Sequence, residues 1–553
     1  MINKYKSLFW TYFVPVLFGI IFWFNQARYG FNPTDDGFVL SQSWRILHGQ
    51  TPHVDFTSPR PLGSALIHLP EVLAPIGMIA LSRLVVVLQF LWIAIATITY
   101  FFDEKYNLKN FQIATLSIIA FLINVNTWPI MPWYTVDGIF IGITSLWIAN
   151  HNYRNKNLEK YKWVFVWLFA GLAPLIKQGF LLVPLLLMLN LIIKKHNQVW
   201  KSFPIMFLPL ISYLIWTRNV EGGLKNNLYS GTLYELTRPF FQLKGVFETN
   251  IGLLTILTLV LALVIRLNLK HTTSIKIIFS WVLILMSIIQ VIIRDDFWLS
   301  ANWDWLIFIV FVIISLNFVN NKVDFAKVIS IMGLGFASSM SWGVPGPGLI
   351  AGSMFAISLV LFVTQFRNEK IREHYGNLNI SILVTLILIF STSHYMRERN
   401  VYYESQRNTL NFQSDEPQLK FIKMSEQSAE FVDSIRFCLN KFPTKYFTLI
   451  PDGAAIYPIM GLNNPFPTDW WLSQERIITH DQRVQSIIEN LNNTKSWLLL
   501  YQSYEASLLS TLPKNQINKA GEKKVYVPID LNIEQKMSGE KIQCNSFTGV
   551  YKN

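Results

Sequence analysis

The sequence is poor in cysteine and charge, and it lacks the common metal- and nucleotide-binding motifs. Its only two cysteines are Cys438 and Cys544, and no CxxC, HExxH or cysteine–histidine cluster has the spacing of a metal site. Neither a P-loop nor a GxGxxG motif occurs, so nothing indicates direct use of a nucleotide. Charged residues make up only 15% of the chain. These absences argue against zinc proteins and nucleotide-driven enzymes.

Long apolar runs are what the sequence has in excess. Hydrophobic residues make up 52% of the 553 positions, and the mean hydropathy is +0.33. They are grouped in runs of roughly 15 to 20 residues, which is the length that crosses a bilayer. The net charge of +13 is spread between these runs, which indicates membrane topology and not nucleic-acid binding. We therefore predict a polytopic α-helical protein with about 13 transmembrane helices.

The order of the runs also predicts an orientation in the cell membrane. The first run, Leu8–Phe24, lacks a cleavage site of small residues, so we interpret it as a retained span. With a cytoplasmic N-terminus, the cytoplasmic segments contain roughly nineteen Lys and Arg, against roughly nine in the opposing loops. The first outer loop then covers about residues 25–75, and the C-terminal segment lies outside. The predicted spans are about 8–24, 76–102, 111–126, 136–150, 163–176, 179–193, 202–217, 250–265, 277–293, 302–320, 328–342, 348–366 and 379–393.

The chain changes character after the last apolar run. Residues 1–393 carry the spans, whereas residues 394–553 predict a small extracytoplasmic α/β domain. An outer location permits a disulfide between Cys438 and Cys544, and two unpaired buried thiols are the alternative. The short β-rich runs are Tyr446–Ile450, Trp497–Tyr501 and Lys524–Val527, and helical patterns lie near 426–440, 481–492 and 503–512.

The first outer loop concentrates polar residues between two apolar runs. Its segment Asn32–Pro70 carries paired acids, two arginines and three histidines. Thr34 is predicted to cap a helix that begins at Asp35 and that Gly49 ends. The start of a helix favours the ionised forms of Asp35 and Asp36. The alternative interpretation is a solvated loop that contains an amphipathic helix.

Four features on the predicted outer side carry possible chemistry. Asp35 and Asp36 point in different directions, so one can act as a base while the other binds a metal or orients an acceptor. Asp137, at the end of the fourth predicted span, is either solvated or turned into a cavity. Lys177, between the fifth and sixth spans, can snorkel to the surface or bind a phosphate. Arg60 is a planar donor between two prolines. A site for a lipid phosphate needs such cations and such a carboxylate.

The order of these parts resembles the GT-C superfamily of integral-membrane glycosyltransferases. The segments DDGFVLSQSWRILHGQTPHVDF and SPRPLGSALIHLP are similar to the first outer loop of one branch, which contains protein O-mannosyltransferases and the bacterial aminoarabinose transferase of lipid A. GLAPLIKQGF is similar to a further family segment, and the resemblance covers roughly residues 1–200. This chain departs from the family pattern in Asp36, where Glu is frequent, and in Gln178, which displaces a glycine.

The resemblance implies a GT-C-like enzyme that transfers a sugar from a polyprenyl-phosphate carrier. The acceptor is a lipid, a glycan or a protein on the outer face of the membrane. By this resemblance Asp35 is the acid that activates the acceptor, with Asp36 beside it, and Asp137 is a second acid across the cavity. Arg60 and Lys177 hold the carrier phosphate. No cofactor is implied with certainty, although Asp35 and Asp36 form a candidate site for a divalent metal cation.

Two other interpretations of the membrane domain stay open. A transporter or flippase for a lipid-linked or amphiphilic substrate also uses intramembrane ionisable residues and kinked spans. Against it, the charges gather at one face of the membrane, and no internal repeat relates the two halves. An inactive family member that acts as a scaffold is the other interpretation. The presence of both acids and both cations argues against it.

The C-terminal segment also contains a tryptophan pair, Trp470–Trp471, in NNPFPTDWWLS. Such a pair can present a sugar-stacking surface or a surface that faces the bilayer. It can equally pack in the core of its own domain. The sequence leaves these interpretations open.

Overall fold

The computed structural model shows a mostly helical chain that ends in a small four-stranded sheet. The predicted spans 250–265 and 277–293, the pattern near 503–512 and the run Lys524–Val527 lie outside the described residues, as does most of 379–393. The structure describes residues 9–102, 108–151, 156–194, 197–217, 300–319, 321–340, 346–365, 404, 409–471, 480–501 and 533–553, with several positions between 382 and 389.

The helices of the N-terminal part follow the apolar runs of the sequence. Each predicted span within the described ranges coincides with a helix, so the helical prediction is confirmed there, while the number of membrane crossings stays a prediction. Two short 3-10 segments, Gln178–Leu181 and Asn197–Phe207, precede the helices that begin at Leu182 and Leu208. The helices are α1 (Phe9–Ala27), α2 (Phe38–Leu47), α3 (Gly63–Ile67), α4 (Leu69–Val72), α5 (Met78–Phe101), α6 (Asn110–Thr127), α7 (Tyr134–Asn150), α8 (Lys156–Ile176), α9 (Leu182–Ile193), α10 (Leu208–Thr217), α11 (Ser300–Phe318), α12 (Lys322–Ser339) and α13 (Gly348–Gln365).

Three of the described helices are long and apolar enough to cross a membrane, namely α1, α5 and α6. They differ in how much of their surface the protein covers. The apolar window of α5 is 72% buried, whereas that of α1 is only 17% buried. Phe13, Ile21 and Phe24 of α1 are exposed. An apolar helix with so little protein cover is stable where lipid surrounds it, since its backbone groups are paired within the helix. We therefore place α1 at the periphery of the bundle.

Polar contacts join the helix ends on one side of the bundle. Lys162 of α8 donates a hydrogen bond from Nζ to the carbonyl of His151 (2.8 Å), just after α7. A cation there donates to an otherwise free carbonyl, and the negative end of the helix dipole stabilises its charge. Asn150 of α7 donates from Nδ2 to the carbonyl of Tyr100 in α5 (3.3 Å). The C-terminal ends of α5 and α7 therefore lie side by side, and the start of α7 lies at the opposite side.

The C-terminal part is a small α/β domain, as predicted. Strand β2 (Trp497–Tyr501) pairs in parallel with β1 (Tyr446–Ile450), and β4 (Phe547–Lys552) pairs antiparallel with β2 and with β3 (Glu540–Cys544). The strand order is β1-β2-β4-β3. Leu498 and Leu500 of β2 pack in one core, and Trp497 and Leu499 pack in another. Both faces of the sheet are therefore covered. The elements are α14 (Glu426–Lys441), β1 (Tyr446–Ile450), α15 (Ile456–Met460), α16 (His480–Asn493), β2 (Trp497–Tyr501), α17 (Ile533–Lys536), β3 (Glu540–Cys544) and β4 (Phe547–Lys552).

A disulfide joins Cys438 of α14 to Cys544 of β3, with Cα atoms 5.8 Å apart and a sequence separation of 106. A cross-link over so long a loop restricts the unfolded chain.

We expect the double variant Cys438→Ser/Cys544→Ser to be less stable by about 2–5 kcal/mol, measured as a lower thermal unfolding midpoint. Dithiothreitol should lower the midpoint of the wild type and leave that of the double variant unchanged. Equal midpoints for wild type and variant would contradict the expectation.

The helix of the first outer loop begins later than predicted. Gly37 occupies the N-cap of α2, without a hydrogen bond from a capping side chain. The reason is Asn32, whose Oδ1 accepts hydrogen bonds from the backbone N–H of Thr34 (3.1 Å) and of Asp35 (3.0 Å). Such a local side-chain bond favours a turn over a helix. The predicted cap by Thr34 is therefore wrong, and Asp35 and Asp36 precede the helix.

The C-terminal domain is docked directly on the first outer loop. The N–H of Ala455 donates to the carbonyl of Pro33 (2.7 Å), and a Cβ added to Gly37 would lie 2.0 Å from the Ala455 backbone. Only glycine permits this approach. Nearby, Arg45 of α2 donates to both carboxylate oxygens of Asp469, at 2.6 and 2.7 Å, and both side chains are buried. A bidentate pair of this kind fixes direction as well as distance.

Candidate active site

Asp35 lies at the junction of the first outer loop and the C-terminal domain. It is only 7% exposed, and its Oδ2 accepts a hydrogen bond from Nδ2 of Asn32 (3.0 Å). Burial, with repulsion from Asp36 and Asp452, raises the pKa of Asp35 to about 7, because the hydrogen bond from Asn32 opposes these effects only weakly. A carboxyl group with this pKa can take up or release a proton near neutral pH. This is the property that a general base requires.

Asp36 has a different environment, a buried ion pair with Arg83 of α5. The guanidinium donates from Nε to Oδ1 (3.1 Å) and from Nη2 to Oδ2 (2.6 Å). It also donates to the carbonyls of Ala27 (2.7 Å) and Gly30 (2.8 Å). Arg83 therefore ties the loop to the end of α1. Within the described ranges there is no group of three or more His, Cys, Asp or Glu side chains placed to hold a metal ion.

Arg60 is buried against aromatic rings. Its Cζ lies 5.3 Å from the ring centroid of Tyr134, the first residue of α7, and 5.9 Å from that of Phe38, the first residue of α2. Such contacts favour a cation over a ring face. The carbonyl of the preceding Pro59 accepts a hydrogen bond from Nε2 of Gln178 (2.7 Å). Gln178 thus ties the Arg60 segment to the turn after α8.

Lys177 is buried in that turn, where the backbone is extended between α8 and the following 3-10 segment. Its Nζ donates to the carbonyl of Met340 and lies 3.5 Å from Oγ1 of Thr135. Thr135 follows Tyr134, so Arg60 and Lys177 approach consecutive residues at the start of α7. Helix starts favour anions because their first N–H groups are unpaired and their dipole end is positive. Both buried cations therefore lie near the first turn of α7, each beside a different residue.

Asp137 lies in the first turn of α7 and is fully buried, not solvated. Its carboxylate accepts hydrogen bonds from Oγ of Ser64, from Nε2 of Gln89 (2.7 Å) and from Nε2 of His68 (3.2 Å). Nδ1 of His68 lies 2.9 Å from Glu71 Oε1. Burial alone lowers the pKa of His68, but Asp137 and Glu71 together outweigh it and raise that pKa to about 10. Asp137 and His68 therefore belong to one buried polar network.

The structure brings most of the predicted site residues to one region. Arg60, Lys177 and Asp137 meet at the start of α7. Asp35 lies three residues before Phe38, and Arg60 contacts the ring of Phe38. Asp36 is the exception, since both of its carboxylate oxygens face Arg83. The chemical roles of these residues stay predictions.

Comparison with known proteins finds similarity in structure only. No family model matches the chain, and no curated protein matches it. Two solved structures, both of ArnT, are similar to this chain. The crystal structure of ArnT from Cupriavidus metallidurans bound to undecaprenyl phosphate has 12% sequence identity, covers 97% of each chain and has a TM-score of 0.40. ArnT in the apo state has 11% identity, covers 97% of this chain and 96% of its own, and has a TM-score of 0.40.

The sequence analysis missed two polar residues of α5 that hold the site. Arg83 binds Asp36, and Gln89 binds Asp137. Both lie within the predicted span 76–102. A charged residue inside an apolar span is itself a signal, because it is costly unless it is paired within the protein. Arg83 was therefore recognisable from sequence as a residue that needs a partner.

Asp452 is an acid that no local pattern connects to the first outer loop. It follows β1 and is buried against Thr34, with which its side chain forms a hydrogen bond. Burial raises the pKa of Asp452 to about 7, and the hydrogen bond with Thr34 offsets this only in part. Asp35 and Asp452 therefore form a pair of acids at the domain junction, both with a pKa near neutrality.

Proposed function

We propose that this protein is a membrane glycosyltransferase that moves a sugar from a polyprenyl-phosphate-linked donor to a lipid, glycan or protein acceptor on the outer face of the membrane. The observation that carries the proposal is that two buried cations, Arg60 and Lys177, both lie near the first turn of α7, Arg60 beside Tyr134 and Lys177 beside Thr135. A buried site with two cations at a helix start suits a phosphate group. The resemblance of the first outer loop to GT-C enzymes supports the same donor class.

The cations have complementary properties for holding a phosphate that leaves. The guanidinium of Arg60 offers a planar set of donors that matches two phosphate oxygens, whereas Lys177 acts as a point charge. Both are buried, so their attraction for a phosphate is screened less than at an exposed surface. When the bond between sugar and phosphate breaks, negative charge grows on the polyprenyl phosphate. Preorganised cations stabilise that charge in the transition state.

Asp35 is the group that we assign to the acceptor. In its ionised form it accepts the proton of an acceptor hydroxyl while the oxygen attacks the anomeric carbon of the sugar. A bond from that oxygen to the anomeric carbon forms, the bond from the anomeric carbon to the phosphate oxygen breaks, and Asp35 ends protonated. Direct attack inverts the anomeric centre. A base with a pKa of about 7 matches this task near neutral pH.

Asp137 we assign to positioning. Its carboxylate already accepts from Ser64, His68 and Gln89, and it lies two residues after Thr135. This network connects α3, α5 and α7, and so it holds the start of α7 against the segment that carries Arg60. Side chains whose orientation is locked by a second layer of hydrogen bonds keep the geometry that catalysis needs.

The proposal is tested by the release of polyprenyl phosphate from a panel of polyprenyl-phosphate sugars by the purified protein. We expect turnover by the wild type and a loss on the order of 10²-fold in Lys177→Met, because removal of one preorganised donor to developing charge typically costs that much. Lys162→Met is the matched control. It removes another buried lysine, which lies near the opposite end of α8 and away from the start of α7, and it should retain most of the activity.

A transporter or flippase predicts a different result from the same protein. It would move a labelled lipid-linked sugar across vesicle membranes without releasing polyprenyl phosphate. An equal loss of activity in Lys177→Met and Lys162→Met would also contradict the proposal. The loss would then follow from disturbed folding and not from the phosphate site.

A further inference from the structure

The two adjacent tryptophans of the C-terminal domain face opposite sides. Trp471 packs in the core of its own domain, with its ring 5.3 Å from that of Phe466. Trp470 packs instead in the apolar core of the helical part, where its ring meets that of Phe38 edge-on at 4.9 Å. Within the described ranges, Trp470 is the one residue beyond position 409 that belongs to that core. Packing in its own domain therefore does not account for Trp470.

The loop that presents Trp470 is held in one conformation. The backbone N–H of Trp470 donates to Oγ1 of Thr468 (3.2 Å), and that hydroxyl donates to the Trp470 carbonyl (2.8 Å). The preceding Asp469 forms the buried bidentate pair with Arg45 of the first outer loop. The position of the indole is thus set by contacts from both sides of the domain junction. A rigid support of this kind is what a binding residue requires.

The indole of Trp470 is only 7% exposed, and in the described part of the chain its N–H has no hydrogen-bond partner. Nε1 of Trp128 also lacks a partner among the described residues, whereas two tryptophans that contact the C-terminal domain use this group. Trp44 donates from Nε1 to the carbonyl of Leu462 (2.9 Å), and Trp497 donates to that of Leu491 (2.9 Å). A buried donor without a partner is costly, so an unsatisfied one in a native structure calls for an explanation. A ligand that accepts a hydrogen bond at this place provides one.

The surroundings of Trp470 indicate which ligand group this is. Trp470 and Arg60 both lie close to the ring of Phe38, and the ring of Trp133 lies 5.6 Å from that ring. Aromatic rings with one polar donor suit a sugar, which offers C–H faces for packing and hydroxyl oxygens as acceptors. In the proposed donor the sugar is bonded directly to the phosphate. A sugar whose phosphate lies at Arg60 therefore lies next to this cluster.

We propose that Trp470 determines specificity for the donor sugar. Its indole N–H donates to a hydroxyl of the sugar whose phosphate is held by Arg60, while the rings of Trp470 and Phe38 pack against the sugar. The inference rests on the proposed function and deepens it. It also gives the C-terminal domain a direct part in donor recognition.

The test compares two ligands, the polyprenyl-phosphate sugar that the wild type turns over fastest and the same polyprenyl phosphate without a sugar. Trp470→Phe keeps an aromatic ring and removes the N–H. We expect it to weaken binding of the sugar donor about 3- to 10-fold, which is the effect of one neutral hydrogen bond, and to leave binding of polyprenyl phosphate unchanged. Trp471→Phe is the matched control, and it should leave the ratio of the two dissociation constants as in the wild type.

Two results would overturn the inference while the proposed function stands. One is wild-type affinity of Trp470→Phe for the sugar donor, which would mean that water or another group satisfies the N–H. The other is equal weakening of both ligands, which would mean that Trp470 only supports the Arg60 site. A wild type that turns over no donor, and binds the sugar donor no better than polyprenyl phosphate, overturns the proposed function itself.

Discussion

Asp35→Asn should abolish sugar transfer and leave donor binding intact. A positioned general base typically contributes about 10²–10⁴-fold to a rate, and an amide cannot accept the proton of the acceptor. The amide has nearly the same size as the carboxyl, and the hydrogen bond with Asn32 can be retained. The donor phosphate lies at Arg60 and Lys177 in the proposed site, so its affinity should not fall. Polyprenyl phosphate release and donor binding, measured on the same preparation, check both parts.

The pH dependence of the wild type should report the same group. Asp35 has a pKa of about 7, raised from its ordinary value by burial and by the charges of Asp36 and Asp452. A base acts in its ionised form, so kcat/KM should rise with pH up to about 7 and level off above it. Asp452→Asn removes part of the repulsion, and we expect the acid limb of the profile to move to lower pH. A profile that is flat across neutrality would contradict Asp35 as the base.

Asp55→Asn is the matched control for Asp35→Asn. Asp55 lies in the same outer loop but is exposed, and its Oδ2 accepts a hydrogen bond from the backbone N–H of Thr51. It should keep the activity and the pH profile of the wild type. If both variants keep the activity of the wild type, the loop tolerates loss of either charge and the assignment of the base is wrong. If both lose activity to the same extent, the loss follows from a disturbed loop and the assignment is again wrong.

Arg83→Ala should destabilise the protein by about 3–5 kcal/mol, because it leaves Asp36 as a buried charge without its partner. Arg83 also donates to the carbonyls of Ala27 and Gly30, which would lose these partners. The first outer loop would then lose its attachment to α1 and α5. The measurement is the thermal unfolding midpoint in detergent, together with protection of the loop from proteolysis.

Two comparisons separate the electrostatic cause from loss of bulk. Arg436 forms a similar pair with the buried Glu416 but is itself 39% exposed, so water can replace part of its contact and Arg436→Ala should cost less than Arg83→Ala. Adding Asp36→Asn to Arg83→Ala removes the unpaired charge and should recover part of the lost stability. A double variant no more stable than Arg83→Ala alone would show that the buried charge is not the cause of the loss.

Local patterns in the sequence were sufficient for the secondary structure of the described part. The runs Tyr446–Ile450 and Trp497–Tyr501 are strands with the predicted bounds, and the described apolar runs are helices. This succeeds because hydropathy and periodicity act over a few neighbouring residues. The predicted start of α2 was wrong for a reason that is also local. Asn32 offers its side chain to the backbone of Asp35, and a turn then forms where a helix start was predicted.

The candidate residues could be selected from sequence, but their environments could not. Asp35 and Asp36 are adjacent and chemically identical, yet one faces another acid and the other faces an arginine. The pKa of a carboxyl depends on burial and on neighbouring charges, and neither is a property of adjacent residues in the chain. A sequence therefore names both acids and cannot say which of them is the base.

The sequence by itself determined that this chain builds apolar helices, a small C-terminal sheet domain and a polar first loop with paired acids and several arginines. Only the tertiary structure decided that Arg60 and Lys177 meet at Tyr134 and Thr135, and that Trp470 turns its indole toward the same region. Local composition fixes which faces must be buried, because burial of apolar surface is roughly proportional to area and has no direction. Which side chains meet depends on the packing of segments that are hundreds of residues apart.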